Sequence, residues 1–152
     1  MAEVQTVYAE NLAPGYAGMI ANGETSNRIS RTAEAAGGVG FGVPVYRGTG
    51  DHGCTATVGT AATFLGISIA HEALGLLAGQ TADKYQQYDN VAILTQGVIW
   101  VVAGEAVTDG AQAYADASTG AIVDTSTNNI LLTGWFFDTT GANGDLVKLA
   151  KR

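Results

Sequence analysis

The chain has 152 residues, enough for one domain that buries a core without needing a metal or a disulfide. Apolar residues make up 47%, which argues against disorder, and charged residues only 14%, against roughly 25% in an average soluble domain. The net charge is −7 with only seven basic residues, so a protein that gains affinity from nucleic-acid phosphates is excluded.

Short strands are predicted along most of the chain, because helical periodicity is nearly absent and apolar or alternating runs recur between turn residues. In chain order the candidates are residues 3–8, 17–21, 27–32, 43–47, 54–58, 64–70, 90–95, 97–103, 111–115, 121–124, 130–137 and 145–149. The stretch 71–79 contains Gly75 and is expected to be a loop or a single turn. The spacing predicts a single-domain all-β fold, a β-sandwich or jelly-roll-like barrel.

The strongest core signal is the segment AILTQGVIWVVAG at residues 92–104. Continuous apolar runs on both sides of Gln96 and Gly97 are typical of strands covered on both faces. A glycine within such a run indicates a bulge or a sharp bend.

A faint internal repeat appears when the chain is shifted by 68 residues. The shift places Val39, Gly42, Tyr46, Thr57 and Gly66 on Val107, Gly110, Tyr114, Thr125 and Gly134. This pattern is consistent with one supersecondary unit that is used twice.

The glycine run GGVGFGVPVY at residues 37–46 raises the question of a phosphate-binding loop. A dinucleotide fingerprint would need its third glycine where Val43 or Val45 stands, and a P-loop would need a lysine that is not near. The residues that follow predict a strand and not a helix N-terminus. We therefore interpret the run as a backbone device for turns.

Residues that could carry chemistry do not form a recognisable motif. His52, Cys54 and His71 match no established zinc spacing, and a nucleophile motif Gly-x-Ser-x-Gly is absent from the sequence. Most acids stand singly in turns, where aspartates usually cap their own backbone. The sequence predicts no enzyme activity, no metal and no cofactor.

Cys54 is the single cysteine, which excludes an intrachain disulfide. No stretch approaches 18 apolar residues, and the N-terminal residues MAEVQTVYAEN lack the apolar core of a signal peptide. We therefore expect a protein made in a cytosol, with neither a membrane nor nucleic acid among its partners.

The sequence from residue 37 to 138 resembles the structural cement proteins of tailed-phage capsids. The resemblance rests on FLGISIA and on YDNVAILTQGVIWVVAGEAVTDGAQAYADASTGAIV, with GFGVPVYRG and the strand ending in GWFF. It implies a β-sandwich or jelly-roll-like domain on the outside of the icosahedral shell, which clamps neighbouring major capsid proteins. It also implies a dimer or trimer on the shell, synthesis in the host cytoplasm, and no catalytic residue or cofactor.

The segment 1–36 is predicted to be an extended capsid-contacting arm, and residues 37–152 the cement domain. The arm is rich in small residues, and Pro14-Gly15 and Asn22-Gly23 predict turns. Its candidate partner-binding residues are Tyr8, Tyr16, Arg28 and Arg31. Arginine pairs well with carboxylates on a partner, although solvated arginines of ordinary strands have the same sequence signature.

Two alternatives stay open at this point. One is a virion-surface or tail β-domain that binds host glycans on Tyr85, Tyr88 and an outward aromatic residue of the segment WFF at 135–137. The other is a small hydrolase on a β-barrel scaffold, which would need a histidine or serine beside an acid in a concave pocket.

Overall fold

A computed structural model describes residues 13–71 and 80–152 of the chain. Within these ranges the chain forms strands, turns and loops, and no helix. The strands are β1 Asn27–Ala33, β2 Val39–Gly40, β3 Pro44–Arg47, β4 Gly53–Thr55, β5 Phe64–Ser68, β6 Lys84–Tyr85, β7 Asn90–Val102, β8 Gln112–Ala115, β9 Ile122–Val123, β10 Ile130–Phe137 and β11 Leu146–Lys151. The predicted all-β, barrel-like fold is confirmed.

Most strands lie where the sequence predicts them, with three differences. The runs 90–95 and 97–103 are one strand, β7, which continues through Gly97 at φ 127°. Residues 17–21 form only a bridge, Ile20 to Ile99, and the two-residue strands β2 and β6 were not predicted. Residues 3–8 and 72–79 lie outside the described residues.

The first half of the chain closes into a five-stranded barrel. Its strands follow the order β1-β4-β3-β5-β7, and β7 then pairs with β1 to complete the ring. The pair β1–β4 is parallel, and the other four pairs are antiparallel. Closure leaves no free sheet edge in this ring.

The second half closes into another barrel that contains the same strand β7. Here the order is β7-β11-β10-β8-β9, and a parallel bridge from Ala103 to Ile122 returns to the end of β7. The N-terminal half of β7 pairs with β1 and β5, whereas its C-terminal half pairs with β11. Strand β7 therefore belongs to both barrels.

The strand pairing confirms the internal repeat. Tyr46 pairs with Thr55 in the first barrel, and Tyr114 pairs with Val123 in the second, a shift of 68 residues on both strands. The parallel pair Ala33–Cys54 corresponds in the same way to the bridge Ala103–Ile122. One topology is thus used twice in the chain.

The glycine run answers to this repeat and not to a ligand. Gly42 has φ 66° and donates its N–H to the carbonyl of Ser68, while Gly110 has φ 83° and donates to Phe137. Positive φ favours glycine, because a Cβ is strained in that conformation. Because Ser68 corresponds to Phe137, the shift becomes 69 residues after the bulges in β5 and β10, not the 68 that the sequence indicates.

Two apolar clusters fill the fold. The first barrel encloses one that includes Val45, Cys54, Val91 and Ile93. The larger cluster fills the second barrel and extends to the outer side of the first barrel at Ile67 and Leu94. The two barrels therefore pack as one body, with the opposite faces of β7 contributing to different cores.

Turn acids cap backbone N–H groups, as the sequence predicts. Glu34 accepts hydrogen bonds from the N–H groups of Thr49 and Gly50, both at 2.7 Å. Asp116 accepts from the N–H and hydroxyl of Ser118, at 2.8 and 2.7 Å, and from the N–H of Thr119 at 2.8 Å. These acids organise surface loops.

The chain ends are tied to the second barrel. Residues 18–21 run antiparallel to β7, with Gly18 donating its N–H to Trp100 and Ala21 donating to Val98. The Arg152 guanidinium bonds the carboxylates of Glu24 and Asp138, each at 3.1 Å. Of the segment expected to form an arm, residues 27–33 are strand β1 of the first barrel.

Gly66 offers a direct test of the close packing between β5 and β7. A Cβ at this position would meet the carbonyl oxygen of Leu94 and lie 2.9 Å from Cγ2 of Ile93. Gly66→Ala is expected to lower the free energy of unfolding by about 1–3 kcal/mol, measured by urea denaturation. Gly23→Ala is the matched control, since nothing lies within 4 Å of its Cβ, and an equal loss in both variants would contradict this packing.

Asp116 predicts a pH dependence of stability. Its hydrogen bonds, with the Ser118 hydroxyl first and the Thr119 N–H next, lower the pKa of its carboxyl from 3.8 to about 2. A lowered pKa stabilises the folded state above the unfolded value, so this contribution is complete above pH 3.8 and is lost as the pH falls towards 2.

Asp116→Asn keeps an acceptor oxygen but removes this titration. We expect the melting temperature of the variant to fall less steeply between pH 4 and pH 2 than that of the parent chain. Asp51→Asn removes a carboxyl from a different turn and is the control. Parallel curves for the parent and Asp116→Asn would show that the Asp116 carboxylate does not stabilise the fold.

Candidate interaction surfaces

The four predicted partner-binding residues do not form one cluster. Tyr8 lies outside the described residues, and Tyr16 is 44% exposed beside the end of β7. Gly18 and Met19, next to Tyr16, bond Trp100, whereas Arg28 pairs with Leu94. Six residues of strand separate these positions, about 20 Å along β7.

Arg28 and Arg31 lie on opposite faces of β1, because successive residues of a strand alternate and three positions separate them. Arg28 is exposed and pairs with Leu94. Arg31 is half-buried on the side that carries Ile29 and Ala33 into the first core, and it donates a hydrogen bond to the carbonyl of Ser30. Arg28 is therefore the better placed of the two to reach a partner.

The aromatic platform expected for a glycan-binding domain is not assembled. Tyr85 is fully buried and its hydroxyl donates to the carbonyl of Ile69 at 2.6 Å, so its prediction as an exposed stacking residue is wrong. Tyr88 is 75% exposed before the start of β7, while Phe136 lies across β11 from the middle of β7. Alternation on β10 turns Phe136 outward and buries Trp135 and Phe137, as the sequence predicts for the segment WFF.

The outer face of the second barrel is poor in charge. It is formed by Gln112 and Tyr114 of β8, Leu131, Thr133 and Phe136 of β10, and Lys148 and Ala150 of β11, and we call it the β10 face. Phe136 is 45% exposed and Leu131 37%. Depletion of charge is typical of the centre of a protein interface.

The one cation of the β10 face is held down by an aromatic ring. The ammonium of Lys148 lies 5.2 Å from the centre of the Trp100 ring, within the range of a cation–π interaction. Asp109 and Asp138 border the face next to Phe136, and Arg152 neutralises Asp138. Sequence analysis missed this face, although the alternation of β10 with two exposed apolar positions was a readable signal for it.

A groove of about 570 Å³ separates the two barrels on one side of the molecule. Its walls come from Phe41, Val43 and Pro44 of the first barrel and from Val102, Ala121 and Ile122 of the second. No charged residue lines the groove among those that the structure describes. It is a second apolar surface, with Val102 48% exposed.

The residues examined for chemistry are not brought together. Burial, the nearby Glu34 carboxylate and, in the opposite direction, Arg31 set the pKa of the Cys54 thiol, which rises to about 11, so the thiol is neutral. In the described parts of the chain no three His, Cys, Asp or Glu residues converge on a metal position. The same residues include no helix long and apolar enough to cross a membrane.

Comparison with known proteins agrees with this architecture. The chain matches the solved structure titled "The capsid of Myoviridae Phage XM1" with a TM-score of 0.70 and 15% identity, over 99% of this chain and 97% of that one. It also aligns, at a TM-score of 0.46 and 16% identity, with the head fiber gp8.5 N base of bacteriophage phi29, over 84% of this chain and 95% of that one. No curated protein matches the sequence.

The family model described as structural cement protein (E217 gp24/Pam3 gp6) matches residues 4–151, nearly the whole chain. This match extends the resemblance seen in residues 37–138 to both ends of the sequence. The chain belongs to the structural cement protein family of bacteriophages and has a capsid-stabilising role.

Proposed function

We propose that this cement protein binds the outer surface of the icosahedral shell and bridges neighbouring major capsid proteins there. Family membership supports the capsid as its partner. The further steps, exterior placement and a bridge between two subunits, rest on the shape of the chain itself.

The observation that carries the proposal is the strand shared by the two barrels. Residues 90–96 of β7 hydrogen-bond within the first barrel, and residues 97–102 within the second. A force that separates the barrels must break these ladders together, because one backbone runs through both. Such a body can hold two shell subunits at a fixed spacing.

Stabilisation follows from binding the assembled shell better than its separated subunits. A ligand of one state shifts the equilibrium by its differential affinity for that state. Many copies, each with a modest interface, add their contributions over the shell. The proposed mode of action is therefore mechanical and thermodynamic, without catalysis, cofactor, nucleic acid or membrane.

The N-terminal part of the chain is the proposed contact with the shell. Residues 1–36 keep their predicted role as the capsid-contacting segment, although β1 anchors residues 27–33 in the first barrel. Tyr16 and Arg28 are exposed on it, and Tyr8 and Arg31 complete the proposed contact set. We also propose that copies associate with one another on the shell.

Capsids freed of the protein provide the test. Purified protein is expected to rebind such capsids, and the rebound capsids are expected to release their DNA at a higher temperature than the bare ones. A dye that fluoresces on released DNA measures the rupture temperature. Rebinding without any rise in that temperature would refute the stabilising bridge.

Arg28 gives a residue-level prediction. Arg28→Ala is expected to weaken binding to stripped capsids about two- to fivefold and to reduce the dependence of binding on salt, because one exposed arginine contributes up to about 1 kcal/mol. Arg47→Ala, which removes an exposed arginine from β3, is the control and is expected to leave binding unchanged. Equal binding by Arg28→Ala and the parent would exclude Arg28 from the contact.

A further inference from the structure

The internal repeat identifies corresponding positions on the outer sides of the two barrels. Ile67 of β5 pairs with Leu94 of β7, and Phe136 of β10 pairs with Ala150 of β11. The next pair along each ladder, Ser68–Ile93 and Phe137–Leu149, keeps the same correspondence. Phe136 and Ala150 therefore occupy in the second barrel the places of Ile67 and Leu94 in the first.

These equivalent faces have different surroundings. Ile67 and Leu94 are fully buried and belong to the cluster that fills the second barrel, so the second barrel covers this face of the first. The β10 face has no third barrel of the chain to cover it, and Phe136 stays 45% exposed. The exposed face is the stacking surface of the repeat at its open end.

We propose that the β10 face docks a second copy of this chain. The structure itself shows what covers the equivalent face of the first barrel, namely a barrel of this same topology. A second copy supplies such a barrel. The proposal goes beyond shell binding, since it assigns a surface for contact between cement proteins.

Charge points to the same occupant. The chain has a net charge of −7, so two copies repel each other over most of their surfaces. The β10 face itself carries no acid, and its one cation, Lys148, lies over Trp100. This is a face on which two acidic chains can meet without opposing like charges.

The extent of the face sets the strength of the contact. Three strands spaced about 4.8 Å apart give a face of a few hundred Å², below the roughly 800 Å² per partner of a standard stable interface. We therefore expect weak self-association in solution, with a dissociation constant on the order of 10–500 µM. Neighbouring positions on a shell raise the effective concentration and strengthen it.

Photo-crosslinking tests which molecule meets the face. Phe136→p-benzoylphenylalanine keeps an aromatic ring at the centre of the face, and Tyr88→p-benzoylphenylalanine places the same group at an aromatic residue that is 75% exposed elsewhere. Irradiation of the purified full chain at about 500 µM is expected to give a covalent dimer from position 136 at least fivefold more than from position 88. Equal yields would overturn the proposal, as would a crosslink from position 136 on capsids that joins only the major capsid protein.

Sedimentation velocity up to about 1 mM supplies an independent readout. Phe136→Glu and, separately, Leu131→Glu are expected to raise the dissociation constant of self-association at least tenfold, while Tyr88→Glu leaves it unchanged. Circular dichroism verifies that each variant is folded. A parent chain that sediments as a monomer at every concentration refutes the proposal, and rebinding of that same chain to stripped capsids shows that the proposed function stands without it.

Discussion

Strand β7 is the constraint on which the rest of the structure depends. Its N-terminal half pairs with β1 and β5, its C-terminal half pairs with β11, and residues 18–21 cover the remaining edge. Alternate side chains of the same strand enter the two apolar clusters. Gly97, at φ 127°, lets one backbone pass from one ring to the other.

Much of this architecture was readable from the residues, because the signals are local. Alternation and turn residues located most strands, and alternation on β10 placed Phe136 outward. The 68-residue repeat was visible as glycines and tyrosines at matched turns and strands, for example Gly42 with Gly110. Acids in turns were correctly predicted to cap backbone groups, as Asp116 does.

What the sequence did not predict depends on contacts between distant segments. Tyr85 lies in a polar stretch, yet pairing of β6 with β2 takes it into the first core. Ile67 and Leu94 look like ordinary strand residues, and only the packing of one barrel on the other buries them. The β10 face became recognisable as an uncovered surface only once its buried counterpart in the first barrel was seen.

Native-state hydrogen exchange along β7 tests the shared strand most directly. If both barrels depend on β7, the amides of residues 90–96 and of residues 97–102 open with the same free energy, and both follow global unfolding as denaturant is added. Two distinct opening free energies, with one half of β7 exchanging while the other stays protected, would show two separately unfolding barrels and contradict the single rigid bridge.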